Sequence, residues 1–305
     1  MSSRDRLLAV LVAIIWGINF PATYLALQHF PPFLMVALRY GLIAIPTILL
    51  IPRPKVKWRW LLAVGFFMGL VQFGFLYLAI DLGLSSGLAS IVLQASAPFT
   101  VLIAAVVLRE KLVTKQIVGI SIAVVGLVVI ALERAQAAAA LPILVALVAA
   151  LGWAIGNVSS RKAAAPNAVH LTLWASIVPP LPMLGLSFLF EGTDRIGASL
   201  STVFTLDALP GDLGLLYVIL IATLVGYVLW NGLLSRYPSS SVAPFSMLVP
   251  PVGVLSSWIA FGDLPDIVEL AAGALVIVGV LVASFGMPRR RSTAAQGLSP
   301  QFLSK

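Results

Sequence analysis

The chain alternates long apolar runs with short breaks that hold nearly all of its charge. Reading the runs between charged or turn-forming residues predicts helices near 7–27, 33–52, 60–80, 87–108, 116–132, 141–160, 168–190, 213–235, 241–261 and 267–287. Each is close to the roughly 20 residues that a helix needs to cross a bilayer core. Arg4 and Arg6 before the first run mimic a secretion signal. The run is long, however, lacks a clear small-residue cleavage site and is followed by further spans, so it counts as helix one. The segment 191–212 places Gly192, Asp194, Asp207, Pro210, Gly211 and Asp212 around an apolar stretch at 203–206, and is expected to lie along the outer interface. Residues 288–305 read as a disordered cytoplasmic tail.

Composition turns this pattern into a commitment to the bilayer. Of 305 residues 60% are hydrophobic and only 10% charged, and the mean hydropathy is +1.07. Too few polar groups remain to cover a water-facing surface. Ten spans use about 200 residues and leave no room for a sizeable soluble domain.

The net charge of +8 and isoelectric point near 10.1 raise nucleic acid as a partner, and the placement of the charges removes it. With the N-terminus in the cytoplasm, one side collects Arg4, Arg6, Arg53, Lys55, Lys57, Arg59, Arg109, Lys111, Lys115, Arg161, Lys162, Arg236, Arg289, Arg290, Arg291 and Lys305, which is 16 of the 19 basic residues. Arg134 and Arg195 fall on the other side and Arg39 inside a span. That bias is an orientation signal with both termini inside.

Punctuation repeats along the chain. Pro98, Glu110 and Gly126 recur as Pro251, Asp263 and Gly279, each displaced by 153 positions, and Trp16 and Asn19 echo Trp153 and Asn157. A repeat of five helices has an odd count, so the second copy enters the membrane upside down. The expected fold is all-α, with ten transmembrane helices as two inverted five-helix repeats around a central cavity. Residues 1–135 form the first repeat and 136–287 the second.

The stretches Trp16-Gly17-Ile18-Asn19-Phe20, Arg39-Tyr40, Leu88-Ala89-Ser90-Ile91-Val92-Leu93-Gln94, Arg109-Glu110-Lys111-Leu112 and Val242-Ala243-Pro244-Phe245 together resemble the drug/metabolite transporter superfamily, and within it the EamA-type exporters. The resemblance runs from about residue 4 to 286. It implies a ten-helix inner-membrane carrier of two inverted repeats around a central cavity, often exporting amino acids. One departure is Asp263-Leu264-Pro265, where the family often repeats an acidic, basic, leucine turn.

Candidate chemistry is sparse. Arg39 is the one charge well within a span; a substrate carboxylate is its natural partner, while capping of neighbouring carbonyls or snorkelling is the structural alternative. Asp81 is a further candidate partner. Asn19, Gln72, Gln94, Ser96, Asn157, Asn231 and Ser246 are uncharged polar residues that lipid penalises, so they are expected to face the bundle interior. Helix-to-helix hydrogen bonds explain any one of them as well as substrate does; as a set they mark a polar-spotted cavity. Trp16, Phe20, Tyr77, Trp153, Trp174, Tyr227 and Trp230 add aromatic surface, with Trp16 and Trp153 deep enough to wall a side-chain site and offer an indole N–H, and core packing as the other reading. Trp58, Trp60 and Tyr237 read as interfacial belts. Pro21, Pro98, Pro250 and Pro251 each remove a helix amide, giving ordinary kinks or hinges for alternating access.

Other classes fall away. Cysteine is absent, and His29 and His170 lie at loop edges without metal-ligand spacing, so neither a metal site nor a cofactor is expected. No Walker loop couples ATP. The acidic residues are placed in tails, loops or helix ends, so no buried carboxylate relay is expected. The resulting expectation is a secondary transporter in a bacterial inner membrane that exports small neutral or zwitterionic metabolites, foremost amino acids including apolar and aromatic ones, by alternating access. Its partners are a small-molecule substrate and membrane lipid, with no nucleic acid and no obligatory protein partner visible. A membrane-embedded enzyme, or a receptor or scaffold, are the rival readings, against which stand the missing catalytic pairs and the missing signalling segment.

Overall fold

A computed structural model describes residues 1–109, 111–136, 140–237, 239–263 and 265–285, and among these there is helix and no strand. The helices are α1 (Ser3–Leu27), α2 (Pro32–Leu50), α3 (Trp58–Asp81), α4 (Ser86–Val107), α5 (Thr114–Gln136), α6 (Ala140–Ala163), α7 (Ala168–Phe190), the short α8 (Thr193–Ser201), α9 (Leu209–Leu234, its last turn reaching Arg236), α10 (Phe245–Phe261) and α11 (Ile267–Phe285). Among the described residues, α1 to α7 and α9 are eight helices long and apolar enough to cross a membrane; the apolar parts of α10 and α11 are shorter.

Helix ends follow local chemistry. The Ser2 hydroxyl accepts the Asp5 amide and caps α1. Asn167 accepts the amides of Val169 and His170 to start α7. In α9 the helix begins at Leu209 rather than near 213, because Pro210 sits in the first turn, where its missing amide has no intrahelical partner to lose. The segment before it holds amphipathic α8 and a loop whose Phe204 and Leu206 are 87% exposed.

Among the described residues, five helices depart from α geometry inside the bundle; one is α7, where a turn at 176–179 separates Ala168–Ala175 from Pro180–Phe190. Helix α3 carries a π segment at Gly65–Val71 and α9 another at Tyr217–Val225. Helix α4 tightens to 3-10 at Leu93–Ala95, just before Pro98, and the chain entering α10 does so at Ala243–Leu248, just before Pro250 and Pro251. A proline cannot bond the carbonyl four residues back, and the preceding turn tightens instead. Helix α1 runs unbroken through Pro21.

The apolar stripe Leu7, Leu11, Ile14 and Ile18 on α1 is exposed while Ala9, Val12, Ala13 and Phe20 are buried, the pattern of a helix facing lipid on one side. Helix α1 packs on α9 and α10, α6 on α3 and α4, α2 on α7, α4 on α10 and α5 on α11. The last pair meets backbone to backbone. A Cβ on Gly119 would stand 2.5 Å from the Gly279 carbonyl, one on Gly126 2.6 Å from that of Ala272, and one on Gly279 2.4 Å from the Ala123 amide. Residue numbers fall on α11 as they rise on α5, so the two helices are antiparallel. Small residues allow this approach where lipid offers no hydrophobic drive to association.

Polar contacts tie the two ends of the bundle. At the α8 end, Glu191 accepts the amides of Phe33 and Leu34 at 2.6 and 3.1 Å. There too His29 Nε2 lies 2.9 Å from the Ser199 carbonyl, and Arg195 pairs with Asp81 at 3.5 Å. At the end with the chain's N-terminus, Asp5 takes the Ser2 and Tyr237 hydroxyls at 2.6 and 2.7 Å and Arg236 at 3.2 Å. Tyr237, expected as an interfacial belt, is thereby a partner of Asp5. Trp58 does lie half-exposed, with the Arg53 guanidinium 3.9 Å from its ring.

Candidate functional site

Arg39 lies on α2 and is 2% exposed, so its charge is closed off from bulk solvent in this conformation. Its Nη1 donates to the Tyr77 hydroxyl on α3 at 2.5 Å and its Nη2 to the Thr223 hydroxyl on α9 at 2.9 Å. The guanidinium carbon stands 3.8 Å from the centre of the Phe73 ring and 5.5 Å from that of Tyr40. Nε is buried with no hydrogen-bond partner. Asp81, suggested by the sequence as a partner, is one turn beyond Tyr77 at the end of α3, where Arg195 reaches it instead. Among the described residues, then, the groups that Arg39 meets are hydroxyls and ring faces and not a carboxylate. They solvate it, with charge-assisted bonds of about 1.5–3 kcal/mol each and a cation–π contact of about 2 kcal/mol when desolvated. A buried unpaired cation costs several kcal/mol, so the site retains a strong preference for an anion.

The π segment of α9 aims Thr223 at Arg39. The Thr223 hydroxyl donates to the Val218 carbonyl five residues back, at 2.7 Å, while accepting from Arg39. One turn further, Tyr227 lies against Trp16 of α1, ring centres 5.5 Å apart, and Trp230 stands 5.2 Å from the same indole. Gly226 has no side chain, and the Trp16 ring fills that space, 2.6 Å from where a Cβ would be. The indole N–H, expected to be free for substrate, donates to the Ala222 carbonyl at 3.0 Å. Trp16 therefore offers a ring face and not a donor.

Five more buried polar atoms lack a partner: Ser199 Oγ and Asp212 Oδ1 near the α8 end of the bundle, and, on the helices beside Arg39, Asn19 Oδ1 and Thr23 Oγ1, one turn apart on α1, and Gln72 Oε1 on α3, the neighbour of Phe73. Helix α1 packs on both α2 and α3. Each of these oxygens is an acceptor, and leaving one unmet costs about 1–3 kcal/mol.

The sequence candidates therefore separate into two groups. Trp16, Arg39, Tyr77, Tyr227 and Trp230 form one continuous assembly, with Asn19 and Gln72 carrying unmet acceptors on the same helices. Gln94, Asn157 and Ser246 lie elsewhere, where α4 meets α6 and α10. Gln94 donates to the Met247 sulfur at 3.6 Å and Asn157 to the Thr100 hydroxyl at 3.4 Å. Ser246 is half-buried beside Met247 and Asn231 half-buried on α9. Phe20 is buried next to Gly253, and Trp153 packs partly buried against the main core. Pro250 and Pro251 border an apolar groove of about 360 Å³ between α4, α10 and α11, away from Arg39. A second groove of about 410 Å³, lined by Ala22, Leu213 and Tyr217 among others, runs between α1 and α9.

Sequence reading missed Thr223 and Thr23. Both are hydroxyls inside apolar runs, where threonine is common, so nothing in the sequence singles them out. It also placed burial of charge in Arg39 alone, whereas Asp5, Asp212 and Glu269 are 7%, 5% and 3% exposed. All three sit in first turns of helices, where packing buries a residue that hydropathy assigns to an end.

Comparison with known proteins bears on this arrangement. The model of the EamA-like transporter family matches residues 6–132 and 140–285. A probable amino-acid metabolite efflux pump of Salmonella typhimurium is 39% identical, covering 97% of this chain and 100% of its own. One from Escherichia coli is 35% identical over 96% and 98%. A probable terminal-alkyne amino-acid exporter of Streptantibioticus cattleyicolor is 26% identical over 94% and 96%. One crystal structure aligns with a TM-score of 0.52 at 21% identity, covering 93% of this chain and 98% of the other, a likeness of fold.

Proposed function

The chain belongs to the EamA-like transporter family, a transporter rather than an enzyme and an integral membrane protein, and from that premise we propose that it exports amino acids and similar small zwitterions from a bacterial cytoplasm by alternating access. The observation that carries this reading is Arg39, a cation enclosed at the meeting of α2, α3 and α9 with hydroxyl and ring partners and a donor unmet. A substrate carboxylate completes it. The acceptors Asn19 Oδ1, Thr23 Oγ1 and Gln72 Oε1 suit an α-ammonium group, and the Trp16, Tyr227 and Trp230 rings suit an apolar or aromatic side chain. Relatives described as amino-acid exporters support the same substrate class.

The architecture in this proposal is ten spans in two inverted repeats, residues 1–135 and 136–287, both termini cytoplasmic, in the inner membrane, closing around the Arg39 site as a central cavity. Several observations support it. The helix pairings map onto themselves when α1 to α5 are exchanged with α6, α7, α9, α10 and α11. The π segments begin 152 and end 154 positions apart, astride the offset of 153 that relates Pro98 to Pro251. The contact of Gly126 with Ala272 maps by that offset onto the contact of Gly279 with Gly119. Such reciprocity supports a two-fold relation, and antiparallel α5 and α11 are consistent with an axis in the membrane plane. Arg39 closed from solvent is the state expected midway between opening to either face. The hinges are Pro98 on α4 and Pro250 and Pro251 on α10, with Pro21 in α1.

The test is counterflow in proteoliposomes. Vesicles loaded with unlabelled alanine or phenylalanine should take up the labelled amino acid. The N-acetyl derivative and the decarboxylated amine, each lacking one charged end, should compete at least tenfold more weakly, a factor worth about 1.4 kcal/mol. Equal competition by the amine would remove Arg39 from recognition.

A further inference from the structure

Building on the reading of Arg39 as the carboxylate site, we propose that Thr223 is a positioning residue that couples occupancy of that site to the cytoplasmic end of α9. Thr223 holds two bonds at once. Its single hydroxyl proton is committed to the Val218 carbonyl, and its lone pair accepts Nη2 of Arg39. A bond from a side chain to the carbonyl five residues back belongs to the π register, since in an α-helix a threonine reaches the carbonyls three or four back. Arg39 therefore fixes the residue that fixes the register of Tyr217–Val225.

A carboxylate arriving at Arg39 competes for the same guanidinium donors, and as an ionised acceptor it binds them more strongly than a hydroxyl does. Once Nη2 turns to the carboxylate, Thr223 loses its tie to α2 and the π segment loses its brace. Absorbing one π bulge into α-helix advances the residues beyond it by one position, a rotation of about 100° and a shift of about 1.5 Å. What lies beyond is functional along its whole length. Tyr227 and Trp230, whose rings pack on Trp16, move relative to it. The end of the helix carries Arg236 and Tyr237, two of the groups that hold Asp5 of α1. From Thr223 to Arg236 is about 20 Å of continuous helix. A one-residue shift moves both groups off the carboxylate and frees α1 from α9 at the end where cytoplasmic substrate enters. Loading and unlatching are thus one event.

The chain has no cysteine, so one introduced thiol reports without interference. Ala9, fully buried under the Asp5 contacts beside Leu233 and Val242, is the reporter position. In Ala9→Cys protein in proteoliposomes, a membrane-impermeant maleimide should label slowly without ligand. Adding Thr223→Val, which keeps the shape and removes the hydroxyl, should raise labelling roughly tenfold with no ligand present, toward the level of Asp5→Asn, while Thr223→Ser should stay slow. Alanine, or acetate as a bare carboxylate, should raise labelling where Thr223 is retained or replaced by serine, and add nothing to Thr223→Val. Size-exclusion profiles and amide exchange across 217–225 separate a changed register from a misfolded chain. Unchanged labelling in a well-folded Thr223→Val protein overturns the proposal, as does normal alanine flux with labelling that no ligand alters. If no amino acid is carried at all, the substrate reading falls, and the ligand-free comparison of valine with serine at 223 still decides the coupling.

Discussion

Arg39 and Asp5 are both buried charges on helices that pack against α9, and they are satisfied in opposite ways. Asp5 sits in the first turn of α1 with a counter-ion, two hydroxyls and a nearby edge of solvent, its side chain 11% exposed and Arg236 55% exposed. Arg39 sits mid-helix, its surroundings two hydroxyls and two aromatic faces in place of a counter-ion. A charge with every partner in place is a fastener. One enclosed with capacity to spare marks a place for something that comes and goes, because its fixed surroundings are polar enough to keep it ionised but leave the strongest interaction unmade.

The comparison can be broken in four ways, taken in order of effect. The most drastic is topology. A reporter active only in the cytoplasm should work after Arg59, Lys115, Lys162 or Arg236 and be silent after Phe30, Glu133 or Gly262. Activity after Gly262 would mean that α10 does not cross the membrane and would break the two-repeat topology. Next, Arg39→Gln should lower flux at limiting substrate by about 10²-fold, the loss of a charge-assisted pair of bonds, with normal insertion. Arg39→Lys should recover little of it, since a compact ammonium cannot reach Tyr77 and Thr223 while lying flat on Phe73. Wild-type flux in either variant, at normal yield, would reduce Arg39 to a structural residue.

Asp5→Asn should act more gently. A pair this close to water contributes little, so a few-fold change in turnover with little change in apparent affinity is expected from counterflow kinetics. A loss as deep as that of Arg39→Gln would erase the distinction between the two charges. The smallest effect should be none. At zero membrane potential an imposed pH gradient should not drive accumulation of alanine, because guanidinium stays protonated throughout and none of the Arg39 contacts above is to a carboxylate. Uphill uptake driven by the gradient and lost in Asp5→Asn would make Asp5 a proton carrier rather than a fastener.

How much of this is legible in the sequence depends on what the bilayer enforces. Helix positions are readable to within a few residues because crossing hydrocarbon demands length and apolarity in the sequence itself. Arg39 is readable because a mid-span charge is expensive enough to stand out. Its partners are not. Threonine is at home in a membrane helix, so Thr223 carries no anomaly until α2 is laid beside it, and the π register that aims it has no sequence signature. Asp81 is apt by charge and fails by one helical turn. The Trp16 indole reads as available because nothing in the sequence says that Gly226 lets it close on the Ala222 carbonyl.

The unequal lengths of neighbouring helices carry a consequence for where the protein resides. Helix α9 spans 26 residues, while its neighbour α2 has 19. At 1.5 Å per residue these reach about 39 Å and 29 Å, against a hydrocarbon core of about 30 Å. A single slab cannot match both with upright helices. The long helix leans and the lipid beside the short one thins, at a fraction of a kcal/mol for each ångström of mismatch. Acyl-chain length therefore becomes a setting of the machine. Shorter-chain lipids relax the flank formed by α2, longer ones strain it, and turnover in vesicles graded by chain length is expected to peak on the thin side.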